Sequence, residues 1–266
     1  RASILMGKQD NAGAEKTLGN CFSLLIIISL VLTAALQLWG RPLLLAFGAS
    51  SNTIEAAIDY LGIYSLGTLA VQISLGMNAF ISAQGFTKIS MLSVMIGAII
   101  NIALDPVFIF GFDMGVKGAA VATVIAQTVS AVWIMAFLLG NKTILRLKPA
   151  HMRLQASVIM PCLALGVSPF IMQFTESVLG ICFNTSLLKY GGDVAVGSMT
   201  VLSTLMQFCL MPMTGFTQGA QPITSYNYGA RNSARVRQTF RLLVKVCLCY
   251  SVALWAIIQL FPGIFA

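Results

Sequence analysis

"ISMLSVMIGAIINIALDPVFIFGFDMGVKGAAVATVIAQTVSAVWIMAFLLG" (89–140) is two apolar runs joined by a short glycine-rich turn, "GFDMGVKG" (111–118). Charge interrupts it only at Asp105, Asp113 and Lys117. Each run holds the roughly 20 mostly apolar residues that a helix needs to cross a bilayer. Strands are a poor reading, because the runs are long and lack period-two alternation. The stretch predicts two antiparallel spanning helices. Outward from it the same pattern recurs, giving seven expected spans at 20–40, 59–81, 89–111, 118–140, 161–185, 195–219 and 241–262. Gly, Pro, Asn and charges mark the short gaps, which leave no room for a soluble domain.

Composition agrees. Of 266 residues, 58% are hydrophobic and 9% charged, against roughly 25% charged in a soluble domain. Mean hydropathy is +0.87. These values predict an all-α polytopic membrane protein. The chain opens on Arg1 and ends just after an apolar run, so it reads as an internal piece of a longer chain. Cysteines stand at 21, 162, 182, 209, 247 and 249, all in apolar runs and without a CxxC pair; the single histidine, His151, lies in a basic stretch. That pattern argues against a metal cluster or a disulfide frame.

The basic residues give the orientation. With the start placed inside the cell, the segments 1–19, 82–88, 141–160 and 220–241, with Lys245, hold thirteen of the sixteen Lys and Arg. Only Arg41, Lys117 and Lys189 fall on the outer side. This is the positive-inside pattern of a protein in a cell membrane. The net charge of +8 then reflects topology and contact with anionic membrane lipid. It does not mark nucleic-acid binding, because the basic stretches lack stacking aromatics. On the outer side, "GASSNTIEAAIDYL" (48–61) reads as a loop with Ser51 or Asn52 capping the next helix, and Glu55, Asp59, Asp113 and Asp193 read as solvated acids.

"SILMGKQDNAGAEKT" (3–17) aligns without gaps on "SYNYGARNSARVRQT" (225–239). Gly7 meets Gly229, and Asp10 meets Asn232 at an expected helix N-cap. Six expected spans separate the copies, so both have one orientation. That predicts parallel repeats of six helices, about twelve spans in all. The fragment divides into an N-terminal lobe part (1–140), a basic cytoplasmic linker (141–160) and a C-terminal lobe part (161–266). Terminal helices of the same chain are expected to complete both lobes.

Within the spans, Asn101 and Asp105 lie four residues apart, on one helix face. A buried carboxylate costs several kcal/mol unless something offsets it. Their oxygens suit a sodium ion, and the carboxylate alone suits a proton. Thr123 lies as far after the 111–118 turn as Asp105 lies before it, so the two reach similar depth. The bland alternative makes Asp105 a hydrogen-bond acceptor beside a helix break at Pro106. Glu176, in "SPFIMQFTESVLGICF" (168–183), is the other intramembrane acid, a candidate for coupling or for attracting a cationic substrate. The 195–219 helix carries Gln207 and several hydroxyls with Met199, Met206, Met211 and Met213. Flexible methionines suit loosely held, varied ligands, or simply pack. Met172, Gln173, Met206 and Gln207 are the expected cavity lining. "GFTQG" (215–219) permits close helix contact.

The stretches 84–127, "KYGGDVAVGSM" (189–199) and "PMTGFTQGAQPITSYNYGARNSARVRQTF" (212–240) resemble the MATE (multidrug and toxic compound extrusion) exporters, with the last two most similar to the MepA-like branch. The resemblance implies a two-lobe helical bundle around a central cavity, with seven full spans of an expected twelve seen here. It implies export of bulky, amphipathic, often cationic small molecules, driven by inward flow of H+ or Na+. It also implies that Asn101, Asp105 and Thr123 help form the cation or proton site of the N-terminal lobe, with Na+ held at Asn101 and Asp105 if sodium is the ion. An Asp on the family's first helix, outside this sequence, would complete it. One branch carries a coupling Glu on the helix of Glu176; here its offset from Pro169 differs by one residue. A lipid-linked oligosaccharide flippase of the same superfamily is the alternative. Such flippases carry cations inside the cavity helices, whereas Lys and Arg here sit near helix ends. A membrane-embedded enzyme is not expected, because acids are few and scattered.

Overall fold

The structure, a computed structural model, describes residues 1–46 and 53–260, with the backbone alone at 46, 184, 185, 188, 189 and 193–196. The expected caps Ser51 and Asn52 lie outside the described residues. The elements are α1 (Ala2–Gly7), α2 (Asn11–Ala46), α3 (Ile54–Leu66), α4 (Thr68–Ala83), α5 (Thr87–Pro106), α6 (Gly115–Leu139), α7 (Ala156–Gly229) and α8 (Ser233–Leu260). A π-helical turn, Val107–Gly111, follows α5, and a 3-10 turn, Pro149–His151, precedes α7. Among the described residues there is no strand.

Among the described residues six helical segments are long and apolar enough to cross a membrane, two of them within α7, and seven when α3 and α4 count as one broken crossing. The span expected over 59–81 is this pair, bent by 55°. The bend falls at Gly67, where any side chain would overlap Val124 of α6. The loop expected at 186–194 is also narrower than its composition suggests. α7 stays helical up to a break at Gly192, with φ 64° and ψ −166°, a left-handed φ that glycine adopts without strain.

By contacts the chain forms two units. The first joins Arg1–Ala2 to Asp10–Cys162, and the second joins Ser3–Gln9 to the chain from Leu163 onward. In the first, α6 packs on α3, α4 and α5. It does so through Ala120, Ala122, Ala126, Ala131, Ile134 and Leu138, all buried. Small side chains let helix backbones approach where no hydrophobic effect drives them together. Hydroxyls also tie α4, α5 and α6 together. Ser93 donates to Asn78 Oδ1 at 2.9 Å, Ser130 donates to the Ser93 carbonyl at 2.9 Å, and Ser74 donates to the Gln127 carbonyl at 3.1 Å. At the ends of the helices, Arg41 pairs with Glu55 at 3.6 Å and Lys117 with Asp59 at 3.2 Å. Those two acids are ion-paired, beyond the simple solvation read from the sequence.

The 141–160 linker, expected between the lobes, belongs to the first unit. Its polar groups are taken up by that unit's helices. The buried Gln84 Oε1, at the end of α4, accepts from Thr143 Oγ1 at 2.6 Å and from the Ile144 and Leu145 amides at 2.8 Å. Glu15 of α2 accepts from Lys148 Nζ at 2.6 Å and the Arg146 amide at 3.2 Å. Asn20 donates to the His151 carbonyl at 3.1 Å and accepts from the Gln155 amide at 2.7 Å, while Ser23 donates to the Met152 carbonyl at 2.6 Å.

The second unit keeps α1, and the repeat explains why. A methyl group on Gly7 would overlap the Tyr226 carbonyl, and one on Gly229 would overlap the Ile4 carbonyl. Each glycine thus faces the residue three places before the other, so two backbones cross reciprocally. Both chains then turn through a left-handed residue, Gln9 (φ 64°) or Arg231 (φ 56°). Both are capped alike: Gly13 donates to Asp10 Oδ1 at 2.8 Å, and Arg235 to Asn232 Oδ1 at 3.1 Å. Further along, α8 packs on the later half of α7. Tyr250 donates to the Cys209 carbonyl at 3.0 Å, its ring meets Phe216 edge-on, and Ser251 reaches Met213 Sδ at 3.8 Å. All six cysteines are free thiols.

Candidate functional site

α5 and α6 are joined by the tight turn read from the sequence, and they pack side by side. Pro106 ends α5 because it has no N–H to give and its ring crowds the preceding turn. The backbone continues as the wider turn 107–111, closed by the Phe112 amide on the Val107 carbonyl at 2.9 Å. Such π-turns recur at functional sites. Gly118, at the start of α6, lies against the Phe108 backbone, where a side chain would not fit. This close approach sets the depth of α6 against α5.

The result brings three expected residues together. Asn101 Nδ2 donates to Asp105 Oδ1 at 3.2 Å on its own helix and to Thr123 Oγ1 of α6 at 3.4 Å. Thr123 in turn donates to the Ala119 carbonyl at 2.9 Å, so its lone pairs are left for Asn101. All three side chains are half-buried. The carboxylate is partnered by an amide rather than by a cation: the recorded ion pairs of this unit lie elsewhere, at Glu15, Glu55 and Asp59. A neutral donor offsets part of the desolvation cost without cancelling the charge.

Glu176 is placed differently. It lies on the exposed first half of α7, with Gln173 Nε2 donating to its Oε2 at 3.3 Å from one turn earlier. Met172, Met206 and Gln207 are likewise exposed on α7. Asn101, Asp105 and Thr123 converge within the first unit; the α7 residues belong to the second.

Sequence reasoning missed Gln84, Glu15 and Asn20, the residues that hold the linker. Gln84 ends a helix beside Gly85, where a polar residue reads as an ordinary turn. Only the fold brings the linker to it. Asn78 was missed too, although a carboxamide in an apolar run was the signal that found Asn101.

Long apolar helices and an amide–carboxylate–hydroxyl cluster between two of them define a polytopic membrane protein that keeps a charge within its spans. The chain belongs to the MatE family, whose model matches residues 1–107 and 169–266. It is similar to the multidrug export protein MepA of Staphylococcus haemolyticus, with 28% identity over 221 residues, 80% of this chain and 48% of that protein. It also resembles MepA of Staphylococcus saprophyticus, with 27% identity over 79% of this chain and 45% of the relative. Among solved structures, the MATE multidrug transporter DinF-BH superposes with a TM-score of 0.90 at 34% identity, covering 98% of this chain and 58% of that one. A MOP superfamily transporter from Pyrococcus furiosus has the same fold, with a TM-score of 0.91 at 23% identity over 99% of this chain and 59% of that one. The chain spans about half the length of the curated relatives it matches.

Proposed function

We propose that this chain is part of a secondary transporter that exports amphipathic, often cationic compounds in exchange for H+ or Na+. The observation that carries the reading is the Asn101–Asp105–Thr123 cluster across α5 and α6 in a chain of the MatE family. As placed, Asn101 turns its NH2 toward both oxygens, the orientation that suits a carboxylate acceptor. An arriving cation would reverse that preference. With the amide turned over, Asn101 Oδ1, Asp105 Oδ1 and Thr123 Oγ1 offer three oxygens from two helices, the donor type that hard cations take. A proton on Asp105 would instead make it a donor to the same partners.

Either event changes the bonds between α5 and α6 next to the π-turn. Cation binding would drive transport only through unequal affinity for the outward- and inward-open states. This reading puts the start of the chain and the 141–160 segment on the cytoplasmic side, where the positive-inside rule favours their Lys and Arg. The same confinement of Lys and Arg to helix ends favours an exporter of cations over a flippase of lipid-linked sugars.

Ethidium efflux from vesicles carrying the full-length protein tests the reading, with a sodium or a proton gradient imposed in turn. One of the two gradients is expected to drive efflux. Efflux indifferent to both would overturn it.

A further inference from the structure

The two repeat copies carry opposite charge on matching helix faces. α2 and α8 begin at matching caps, Asp10 and Asn232, so residues at equal distance from the cap occupy equal positions. On α2 the face of Glu15, Gly19, Asn20 and Ser23 is covered by the linker. Glu15 pairs with Lys148, the His151 backbone lies against Gly19, and Asn20 and Ser23 bond to linker backbone. That face presents a carboxylate and receives a basic peptide.

The matching positions on α8 are Arg237, Arg241, Leu242 and Lys245. With Ala234 and Gln238 they form one open, exposed face of α8. Among the described residues the three cations have no hydrogen-bond or ion-pair partner. Helix packing within a lobe does not account for this face, because its counterpart on α2 meets the linker rather than another helix. Its charge suits an anionic occupant, where the α2 face takes a basic one. The three cations stand at four-residue intervals where α8 turns from a basic first turn to an apolar run. Phe240 and Leu248, both exposed, flank them.

We propose that Arg237, Arg241 and Lys245 form a binding site for the phosphodiester headgroup of an anionic phospholipid, its acyl chains running on past Leu248. Cations at the level of the headgroups attract anionic lipid, and arginine adds paired N–H donors for phosphate.

The test uses the full-length protein in nanodiscs of phosphatidylcholine with or without phosphatidylglycerol. Native mass spectrometry counts the phosphatidylglycerol retained, and phenylglyoxal reports the accessibility of Arg237 and Arg241. Phosphatidylglycerol is expected to bind in preference to phosphatidylcholine and to protect both arginines. The triple variant Arg237→Gln, Arg241→Gln, Lys245→Gln is expected to lose affinity on the order of 100-fold, from the usual contribution of a basic residue at an anionic surface. A control with the same charge change, Lys8→Gln, Arg231→Gln, Arg235→Gln, is expected to retain it. Equal loss in both variants would reduce the effect to net charge and overturn the site. Arginines already protected in pure phosphatidylcholine would show polypeptide covering the face and overturn the lipid assignment. Protection by glycerophosphate as strong as by the lipid would reassign the site to a soluble anion. The protection measurement on the unmutated protein stands even if the triple variant fails to fold, and transport is not needed for any readout.

Discussion

Asp105 and Glu176 are both acids on apolar helices, yet the two units treat them differently. In the first unit, Asp105 is joined by Asn101 to a hydroxyl on a second helix. In the second, Glu176 has the neighbouring Gln173 of its own helix as its recorded partner. The same division runs through other polar groups. Gln84, Asn20 and Ser93 are buried and bonded across elements in the first unit. The side chains of Gln207 and Gln238 are exposed in the second. Among the described residues the difference follows the number of packed helices. The first unit packs α2 to α6 with the linker, so its polar groups must find protein partners. The second has α1, the two halves of α7, and α8. A bound acid that bridges two helices can alter their packing when it is neutralised; an acid bonded within one helix has no such leverage.

Four substitutions break or sharpen this contrast. Asp105→Asn removes the charge but keeps a similar shape and a hydrogen-bond acceptor. Gradient-driven ethidium efflux is expected to fall to the level of vesicles without transporter, while membrane expression measured by blot is unchanged. Normal efflux in that variant would mean the cluster is only structural.

Gln84→Ala comes next, with its effect on stability. It withdraws one oxygen from three donors at once, and an unsatisfied buried donor costs about 1–3 kcal/mol. With water taking up part of the loss, about 2–3 kcal/mol is expected. That corresponds to a fall in melting temperature of roughly 5–10 °C for a chain of this size. The amides of Ile144 and Leu145 should exchange hydrogen faster. Gln238→Ala, on exposed α8, is the matched control and should stay within about 0.5 kcal/mol of the parent.

Thr123→Val keeps the volume and removes the hydroxyl on α6. Because Asn101 reaches that oxygen at 3.4 Å, a long contact, the loss should be modest. A rise of roughly five-fold in the cation concentration for half-maximal efflux corresponds to about 1 kcal/mol, the usual net worth of one hydrogen bond. No change would leave Asn101 and Asp105 acting within α5 alone.

Much of this was legible in the sequence, for identifiable reasons. A twenty-residue apolar run has few alternatives to a spanning helix, so the helices of 89–140 were plain. A four-residue spacing fixes a helix face, so Asn101 and Asp105 were expected neighbours. The length of the 111–118 turn placed Thr123 at their depth. The bend at Gly67 was hidden, because hydropathy does not register a glycine whose missing side chain makes room for Val124. The linker was read as a basic connector, because composition gives its charge and not the acceptors on Glu15, Gln84 and Asn20 that capture it. The repeat was visible as four identities in fifteen residues. Its physical content, two glycines letting two backbones cross reciprocally, needed coordinates.

Glu176→Gln should have the smallest effect. Its partner Gln173 is a neutral amide one turn away on the same exposed face, so no contact to a second helix depends on its charge among the described residues. Glutamine at 176 keeps an acceptor for Gln173 and loses only the charge. Efflux driven by the coupling gradient should therefore change by less than about three-fold, and that change should fall on the apparent affinity for a cationic substrate. A neutral substrate transported by the same protein should be unaffected. The contrast is sharpest in the double variant with Asp105→Asn, which should behave like Asp105→Asn alone. If Glu176→Gln instead matched Asp105→Asn in abolishing efflux of every substrate, the second unit would hold a coupling acid of its own. Bonds between helices would then no longer distinguish the two acids.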